Sequence, residues 1–530
     1  MPHVDSFMVE HLNPSAYVKL ANSVQKTQAA DGSWAEINYH DTARSAWGTS
    51  KHIENYKALC CAYYATGEAR YLDAAKKAIG YWDSTSPICK NWWWNQIGVP
   101  KQAGPATILV SGSLGPEDIE KVCRILSKAK LKGTGQNKVW LSEIVMMRAF
   151  LEGNDSLLVQ ARDSLVSEIR ICDEAEGIQS DWSFHQHGPQ LQWGNYGLSF
   201  AYDMSKVVRL LKGTVLDIDE DQKSIITGYV KNGLALPLWK GYYDMNACGR
   251  QIVKKSQEKK GREVERISAS LGVGLNDITG AFYFPSSDFG IYRTDSWYAS
   301  IRCQSARTVG MECTNNENMR GYFAADGALL VRRDGDEYRD VAGCWDWHHV
   351  PGVTSYNDGK PLCGWQKKTV YNNTEDVRGT VEGNVMRVEM SLDLDGLGGK
   401  KSWIFFDKGI VCRGTGIRMD EEYPVHTAVE QCRIKGTVIR TRKWIHHNGI
   451  TYIPLEGTQF KLAPAAHSGN WHDIHSRYGI EPESIELLDI YIDHGIAPKS
   501  ASYFYVIIAD GSSPEEAYRY VRQNIKSLTK

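Results

Sequence analysis

Apolar residues recur at three- and four-residue spacing through Tyr56–Tyr64 and Tyr71–Trp82, which predicts two helices separated by a turn at Thr66-Gly67-Glu68. The same period runs through Pro116–Leu131, Val139–Leu151, Ser156–Ile171, Gly197–Leu211 and Asp219–Gly233, with short Gly- or Asn-containing turns between. Helical hairpins arranged in sequence are the expectation, although no strict repeat supports a regular solenoid. From about Ala281 the texture changes. Gly290–Arg302, Ala328–Arg333, Val385–Ser391, Lys401–Arg413, Gly449–Pro454 and Ser502–Ala509 alternate apolar, aromatic and β-branched residues, punctuated by Gly, Asp and Asn. That pattern predicts a β-sandwich-type region. The basic run Lys254–Arg262, followed by Gly272 and Gly274, reads as a solvated connection, which places a boundary near residue 275.

Length fits this division. At 530 residues the chain exceeds the size at which one core stops growing. No run of about 18 apolar residues exists, so no membrane-spanning helix is expected. The start, Met1-Pro2-His3-Val4-Asp5, has neither the basic nor the apolar stretch of a signal peptide. Twelve cysteines include no C-x-x-C pair, which removes support for structural zinc and favours buried thiols. A net charge of −2 would not draw in a polyanion, nucleic acid included, so an anionic ligand must meet locally placed groups. The 17 Trp and 27 Tyr suggest flat surfaces on which sugar rings stack.

Candidate chemistry concentrates in Asp181-Trp-Ser-Phe-His-Gln-His-Gly-Pro-Gln-Leu-Gln-Trp-Gly-Asn-Tyr196, where Gly188-Pro189 breaks any helix. Loops between rigid elements collect binding and catalytic groups. Alone, a His followed nine residues later by a Tyr is more often structural. Asn137 precedes an apolar helical stretch and could be a helix cap. Arg250 alone would be a surface ion pair. The pairs His348-His349 and His446-His447 lack a third ligand at sensible spacing and read as structural, so no metal and no cofactor is expected.

The whole string resembles the active-site segment of polysaccharide lyase family eight, which includes chondroitin AC, hyaluronate and xanthan lyases. Other segments match in the same order, from about residue 50 to 510. They are Asn91-Trp-Trp-Trp-Asn-Gln-Ile-Gly-Val-Pro100, Thr134-Gly-Gln-Asn137 and Cys248-Gly-Arg250. In the β region they are Ser305-Ala-Arg-Thr308, Glu312, Asn315-Asn-Glu-Asn318, Gly321, Asp326-Gly327, Trp345-Asp-Trp347, Pro351-Gly352 and Lys401-Ser-Trp403. The resemblance implies an α+β multidomain fold. Residues 1–275 would form an incomplete (α/α) toroid carrying the catalytic groups, residues 276–530 an antiparallel β-sandwich, with the cleft between them. The family's small final β domain is expected to be absent.

The resemblance also implies β-elimination on a uronate. Asn137 would hydrogen-bond the substrate carboxylate and favour its enolate-like form. His187 would help, or act as base for one stereochemistry. Tyr196 would carry the proton, first as base and then as acid toward the leaving oxygen. Because free Tyr has a pKa of about 10, Arg250 would stabilise the phenolate. Glu312 would orient Arg250 by a bidentate pair, and Asn315 would add a contact. Glu317 competes with Glu312 but is read as structural, and His185 as outside the site. Trp92 and Trp93 are stacking candidates, Trp94 a core candidate, and Gln186 and Lys254 further substrate contacts. Lys254 stands where the family often has a second arginine; it keeps the charge but loses the fork, so recognition of sulfate or carboxylate would differ.

The expected activity is therefore a lyase on a glycosaminoglycan-like uronate polymer, such as chondroitin or hyaluronan. The alternatives are another uronate chain (xanthan, glucuronan, alginate) or an inactive glycan-binding protein. The partner would be an anionic polysaccharide rather than nucleic acid or membrane, met by a monomer that is secreted or periplasmic.

Overall fold

The structure, a computed structural model, describes residues 2–173, 175–362 and 369–529. Contacts divide the chain into two compact units that interleave in sequence: residues 1–170 with 203–226, and residues 171–202 with 227–530.

The first unit is helical. Lys51–Thr66 packs against Ala69–Thr85 and Val99–Val110, and Gly135–Glu152 packs against Asp155–Val166, giving the hairpins the periodicity predicts. Gly67 and Gly153 adopt left-handed conformations that stop two of these helices. Pro116 at the first position, with Glu117 and Asp118 in the first turn, starts Pro116–Leu126. That helix ends five residues before the expected Leu131. Helix Val99–Val110 escapes the sequence reading because Pro100, Gly104 and Pro105 look like breakers. Pro100 falls in the first turn, where its missing N–H costs nothing, and the buried neighbours hold the helix through Pro105. Trp34, Trp47, Trp82, Ile97, Leu126 and Ile144 lie in the core of this unit.

The second unit is rich in antiparallel sheet. Eight strands run in the order Val377–Glu382, Val385–Leu394, Leu397–Phe406, Gly409–Met419, Ala501–Ile508, Ile450–Pro454, Ile445–His447, Ile439–Arg440. Met386, Val388, Met390, Leu392 and Leu394 alternate inward along the second of these and meet Trp403 and Phe405 in the core. A four-stranded sheet (Gly280–Phe284, Phe289–Arg293, Tyr298–Arg302, Ala328–Arg332) and a five-stranded one built on Pro424–Arg433 and Glu483–Ile496 share that core. Helix Pro514–Leu528, begun by a Ser513–Glu516 capping box, covers another face through Ala517 and Val521.

Lys254–Arg262 is not a solvated connection. Helix Ser256–Ser270 takes up most of it, with Lys260 and Gly261 buried. A side chain on Gly261 would come within 2.2 Å of the Gly241 carbonyl, so close backbone approach explains the glycine. All eleven described cysteines are free and buried. Buried Lys401 ties three motif segments together: its ammonium donates to the carbonyls of Asp326 at 2.8 Å and Gly352 at 2.5 Å, with Trp403 two residues away.

Candidate active site

The second unit brings four of the expected catalytic residues into one hydrogen-bonded cluster. Tyr196 lies in a π-helical turn, Trp193–Gly197, that leads into helix Leu198–Leu211. Such turns recur at functional sites because they re-aim a side chain without ending the helix. Arg250 follows Gly249, whose φ of +57° is left-handed and where a Cβ would lie 2.2 Å from Gln192 Oε1. Only glycine lets this turn close, and the turn delivers Arg250 beside Tyr196.

Arg250 is the hub. Its Nη2 donates to the Tyr196 hydroxyl at 3.2 Å, its Nη1 to Glu312 Oε2 at 3.0 Å, and its Nε to Glu317 Oε2 at 3.0 Å. Nη1 also lies 2.8 Å from His187 Nδ1, which is 2.8 Å from Glu312 Oε1. One ring nitrogen cannot accept from the guanidinium and donate to the carboxylate at once. Glu312 is 2% exposed and would otherwise face a lone pair, so Nδ1–H pointing at Glu312 is the consistent tautomer. The His187 and Tyr196 ring centroids are 4.9 Å apart.

Two expectations change here. Glu312 does not grip Arg250 with both oxygens; one oxygen takes Arg250 and the other takes His187. Glu317, read as structural, also holds the guanidinium. The electrostatics of Tyr196 change with it. Burial raises its proton affinity above the ordinary value, and Glu312 and Glu317 add to that, while Arg250 pulls the other way without prevailing. The phenol is therefore protonated at rest rather than a standing phenolate. Arg250 stays charged: burial opposes the charge, but Tyr196, Glu312 and Glu317 more than offset it. Glu312 sits below its usual value, burial being outweighed by His187 and Arg250.

The turn that carries His187 is held by Glu176, which sequence reasoning missed. Glu176 Oε1 accepts from the backbone of His187 at 2.7 Å and of Gly188 at 3.2 Å, while His187 itself is left-handed at φ +60°. No local motif marks Glu176. Gln186 is 0% exposed and donates to Glu176 Oε2 at 2.6 Å, so it holds the turn instead of facing a glycan as expected. His185 is buried against Ser287, outside the cluster as expected. Asn315 sits left-handed at φ +57° in the turn beside Glu312 and makes no side-chain hydrogen bond among the described residues. Lys254 pairs with Glu483, and its backbone N–H donates to the Tyr478 hydroxyl at 3.0 Å.

Asn137, Trp92 and Trp93 belong to the first unit. Asn137 is not a cap: Thr134 holds that position, and Asn137 lies in the first turn of Gly135–Glu152 with its Oδ1 buried and without a hydrogen bond. Trp92 is 46% exposed, and Trp93 packs edge-on against Trp94 and Trp140. Trp94 is half-buried against Trp47 rather than deep in the core. Behind them Asp203 accepts from Gln136 at 2.7 Å and from the Trp140 indole at 2.8 Å. The paired histidines are occupied by protein contacts, among them His349 on Asp489 and His447 on the Lys435 backbone.

Residues 7–274 match the N-terminal alpha-helical domain of polysaccharide lyase family 8, and residues 279–520 match its super-sandwich domain. The chain belongs to polysaccharide lyase family 8. Chondroitinase-AC of Pedobacter heparinus is 28% identical over 523 residues, covering 89% of this chain and 74% of that protein. A hyaluronate lyase of Thermasporomyces composti is 24% identical over 526 residues, covering 81% and 67%. Among solved structures, a chondroitinase AC lyase studied as oligosaccharide complexes superposes with a TM-score of 0.89 at 25% identity, over 98% of this chain and 84% of that one. As a family 8 member the protein is a polysaccharide lyase, built of a helical part followed by a sheet-rich one. Among the described residues no helix is long and apolar enough to cross a membrane.

Proposed function

We propose that this protein cleaves a uronic-acid-containing, glycosaminoglycan-like polysaccharide by β-elimination, with Tyr196 moving the proton. The observation that carries the proposal is one guanidinium, Arg250, joining the Tyr196 hydroxyl, Glu312 and Glu317, with His187 tied to the same network through Glu312. A hydrolase needs two carboxyl groups free to flank the scissile bond. Here both nearby carboxylates are committed to Arg250, which disfavours hydrolysis. The likeness to chondroitin and hyaluronate lyases supports the uronate substrate.

In this reading the uronate carboxylate accepts from the Asn137 side-chain N–H, and the position of Asn137 in the first turn adds helix N–H groups that favour negative charge. Its role is to favour the enolate-like form of the sugar. Because the Tyr196 phenol is protonated at rest, its proton must leave before it can act as base. The His187 ring, whose centroid lies 4.9 Å from that of Tyr196, would take it, and Glu312 on Nδ1 would steady the imidazolium that results. The phenolate then takes the proton from carbon 5, the bond from carbon 4 to the bridging oxygen breaks, and the renewed phenol protonates that oxygen. Arg250 supplies positive charge throughout. Trp92 and Trp93 would stack sugar rings, and Asn315 and Lys254 would contact the chain.

The test is a panel of uronate polysaccharides followed by ultraviolet absorbance of the unsaturated product. A gain on chondroitin or hyaluronan supports the reading. A gain only on xanthan, glucuronan or alginate moves the substrate, and binding without any gain would mean an inactive glycan-binding protein. Action as a secreted or periplasmic monomer, with a helical catalytic part ending near residue 275, belongs to the same proposal.

A further inference from the structure

The segment Thr314–Asn318 carries more left-handed backbone than a turn needs. Asn315, Asn316 and Asn318 have φ of +57°, +58° and +58°. Such conformations are disfavoured for residues with a Cβ, asparagine tolerating them best, and they persist where the surroundings over-determine them. The surroundings here are the segment Trp471–Tyr478. Ser476 N–H donates to the Asn316 carbonyl at 3.0 Å, Met319 N–H to the Ile474 carbonyl at 3.1 Å, and Glu317 bridges His475 backbone to backbone. Asn318 Nδ2 donates to the Glu312 carbonyl at 3.1 Å, closing the turn on itself. The effect is to place Glu317 on the same guanidinium as Glu312, five residues earlier.

We propose that Glu317, braced by His475, is a second positioning carboxylate of the active site. Glu317 holds Arg250 by Nε while Glu312 holds it by Nη1, so the plane of the guanidinium is fixed along two of its edges and Nη2 is left for the Tyr196 hydroxyl. One carboxylate alone would let the fork pivot about a single hydrogen bond, because Glu312 spends its other oxygen on His187. His475 Nδ1 accepts from the Arg477 N–H at 3.2 Å, so its proton is on Nε2, which faces Glu317 Oε1 at 3.8 Å. Burial, with Arg477 and Arg250 nearby, brings His475 down to about 4, so it faces Glu317 as a neutral ring at working pH while the backbone bridge does the bracing. The charged and titratable groups around this pair include Arg250, Arg477, Tyr478, Glu312, His187 and Tyr196. Among them Glu317 adds a negative charge that raises the proton affinity of Tyr196. Glu317 thus aims Arg250 and adds to the upward shift that burial gives Tyr196.

The inference rests on the lyase reading, and the two fail separately. Absence of unsaturated product from the unmodified protein overturns the reading itself; with product formed, variants test Glu317. Glu317→Ala should lower kcat about 100-fold, the scale expected for a misplaced catalytic group, with KM changed much less. Glu317→Gln keeps an acceptor for Nε but removes the charge. It should retain more activity than Glu317→Ala and move the limb of the pH–rate profile governed by Tyr196 to lower pH. Circular dichroism and thermal melting confirm that each variant is folded. Wild-type kcat in folded Glu317→Ala, or an unmoved pH profile in Glu317→Gln, overturns the proposal.

Discussion

Replacing Arg250 by lysine isolates geometry from charge. Arginine serves Tyr196, Glu312 and Glu317 from three nitrogens in one plane. Lysine offers a single nitrogen, which can reach the carboxylates but cannot span the three partners in the same arrangement. The carboxylates lie close together and will take the ammonium, so the bond to the Tyr196 hydroxyl is the one lost. A hydrogen bond to a charged group contributes about 1.5–3 kcal/mol. If that bond acts on the phenolate-like state, and about 1.4 kcal/mol is tenfold in rate, Arg250→Lys should lower kcat/KM by about 10- to 100-fold. Because a cation remains beside the buried Glu312, the large penalty for orphaning a buried charge, about 3–5 kcal/mol, should not appear. The assay is the initial rate of ultraviolet absorbance on the best polymer, with thermal melting in parallel. Activity within twofold of wild type would refute the positioning role. A collapse of melting temperature equal to that of Arg250→Met would show that the fork serves the fold rather than the chemistry.

Other consequences are open to measurement. Glu176→Ala removes the acceptor for the His187 and Gly188 backbone, so kcat should fall at least several-fold in a folded protein; an unchanged rate would mean the turn holds itself. Glu483→Gln releases Lys254, which should lower KM for anionic polymers most at low salt, and a KM insensitive to both would remove Lys254 from substrate binding. Glu430 is buried between the Tyr338 and Tyr452 hydroxyls, and burial pushes its carboxyl up to about 8. Since the folded value lies above the unfolded one of about 4.5, its contribution to stability is full below about 4.5 and is lost as pH rises toward about 8, at up to about 1.4 kcal/mol per unit. Glu430→Gln needs no proton, so its melting temperature relative to wild type should rise between pH 5 and about 8; a constant difference contradicts the assignment.

The sequence makes some parts of this arrangement legible and hides others for physical reasons. Tyr196 and His187 stand in a segment too dense in His, Gln and Trp for a plain turn, and helix periodicity survives in Ala69–Thr85 because Tyr71, Leu72, Ala75, Ala78, Ile79 and Trp82 share one buried face. The strands Pro424–Arg433 and Glu483–Ile496 leave no such trace. The first is buried on both faces with Thr427, Glu430 and Gln431 among its apolar residues, so it never alternates. Glu176 and His475 are invisible in the same way, since what matters is the turn or facing segment that aims each one, and the same lack left Glu317, though noticed beside Glu312, without its role. The expected bidentate Glu312 grip fails because Glu312 divides its two oxygens between Arg250 and His187, a pairing that sequence spacing does not reveal.

The account turns on elimination carried by the Tyr196 hydroxyl, and digestion in heavy-oxygen water tests that most directly. Wild-type protein should release fragments with unsaturated uronate ends and, before anomeric exchange, no solvent oxygen, while Tyr196→Phe binds the polymer and releases none. Saturated new ends with heavy oxygen incorporated at the rate of cleavage, or product from Tyr196→Phe at the wild-type rate, would contradict it.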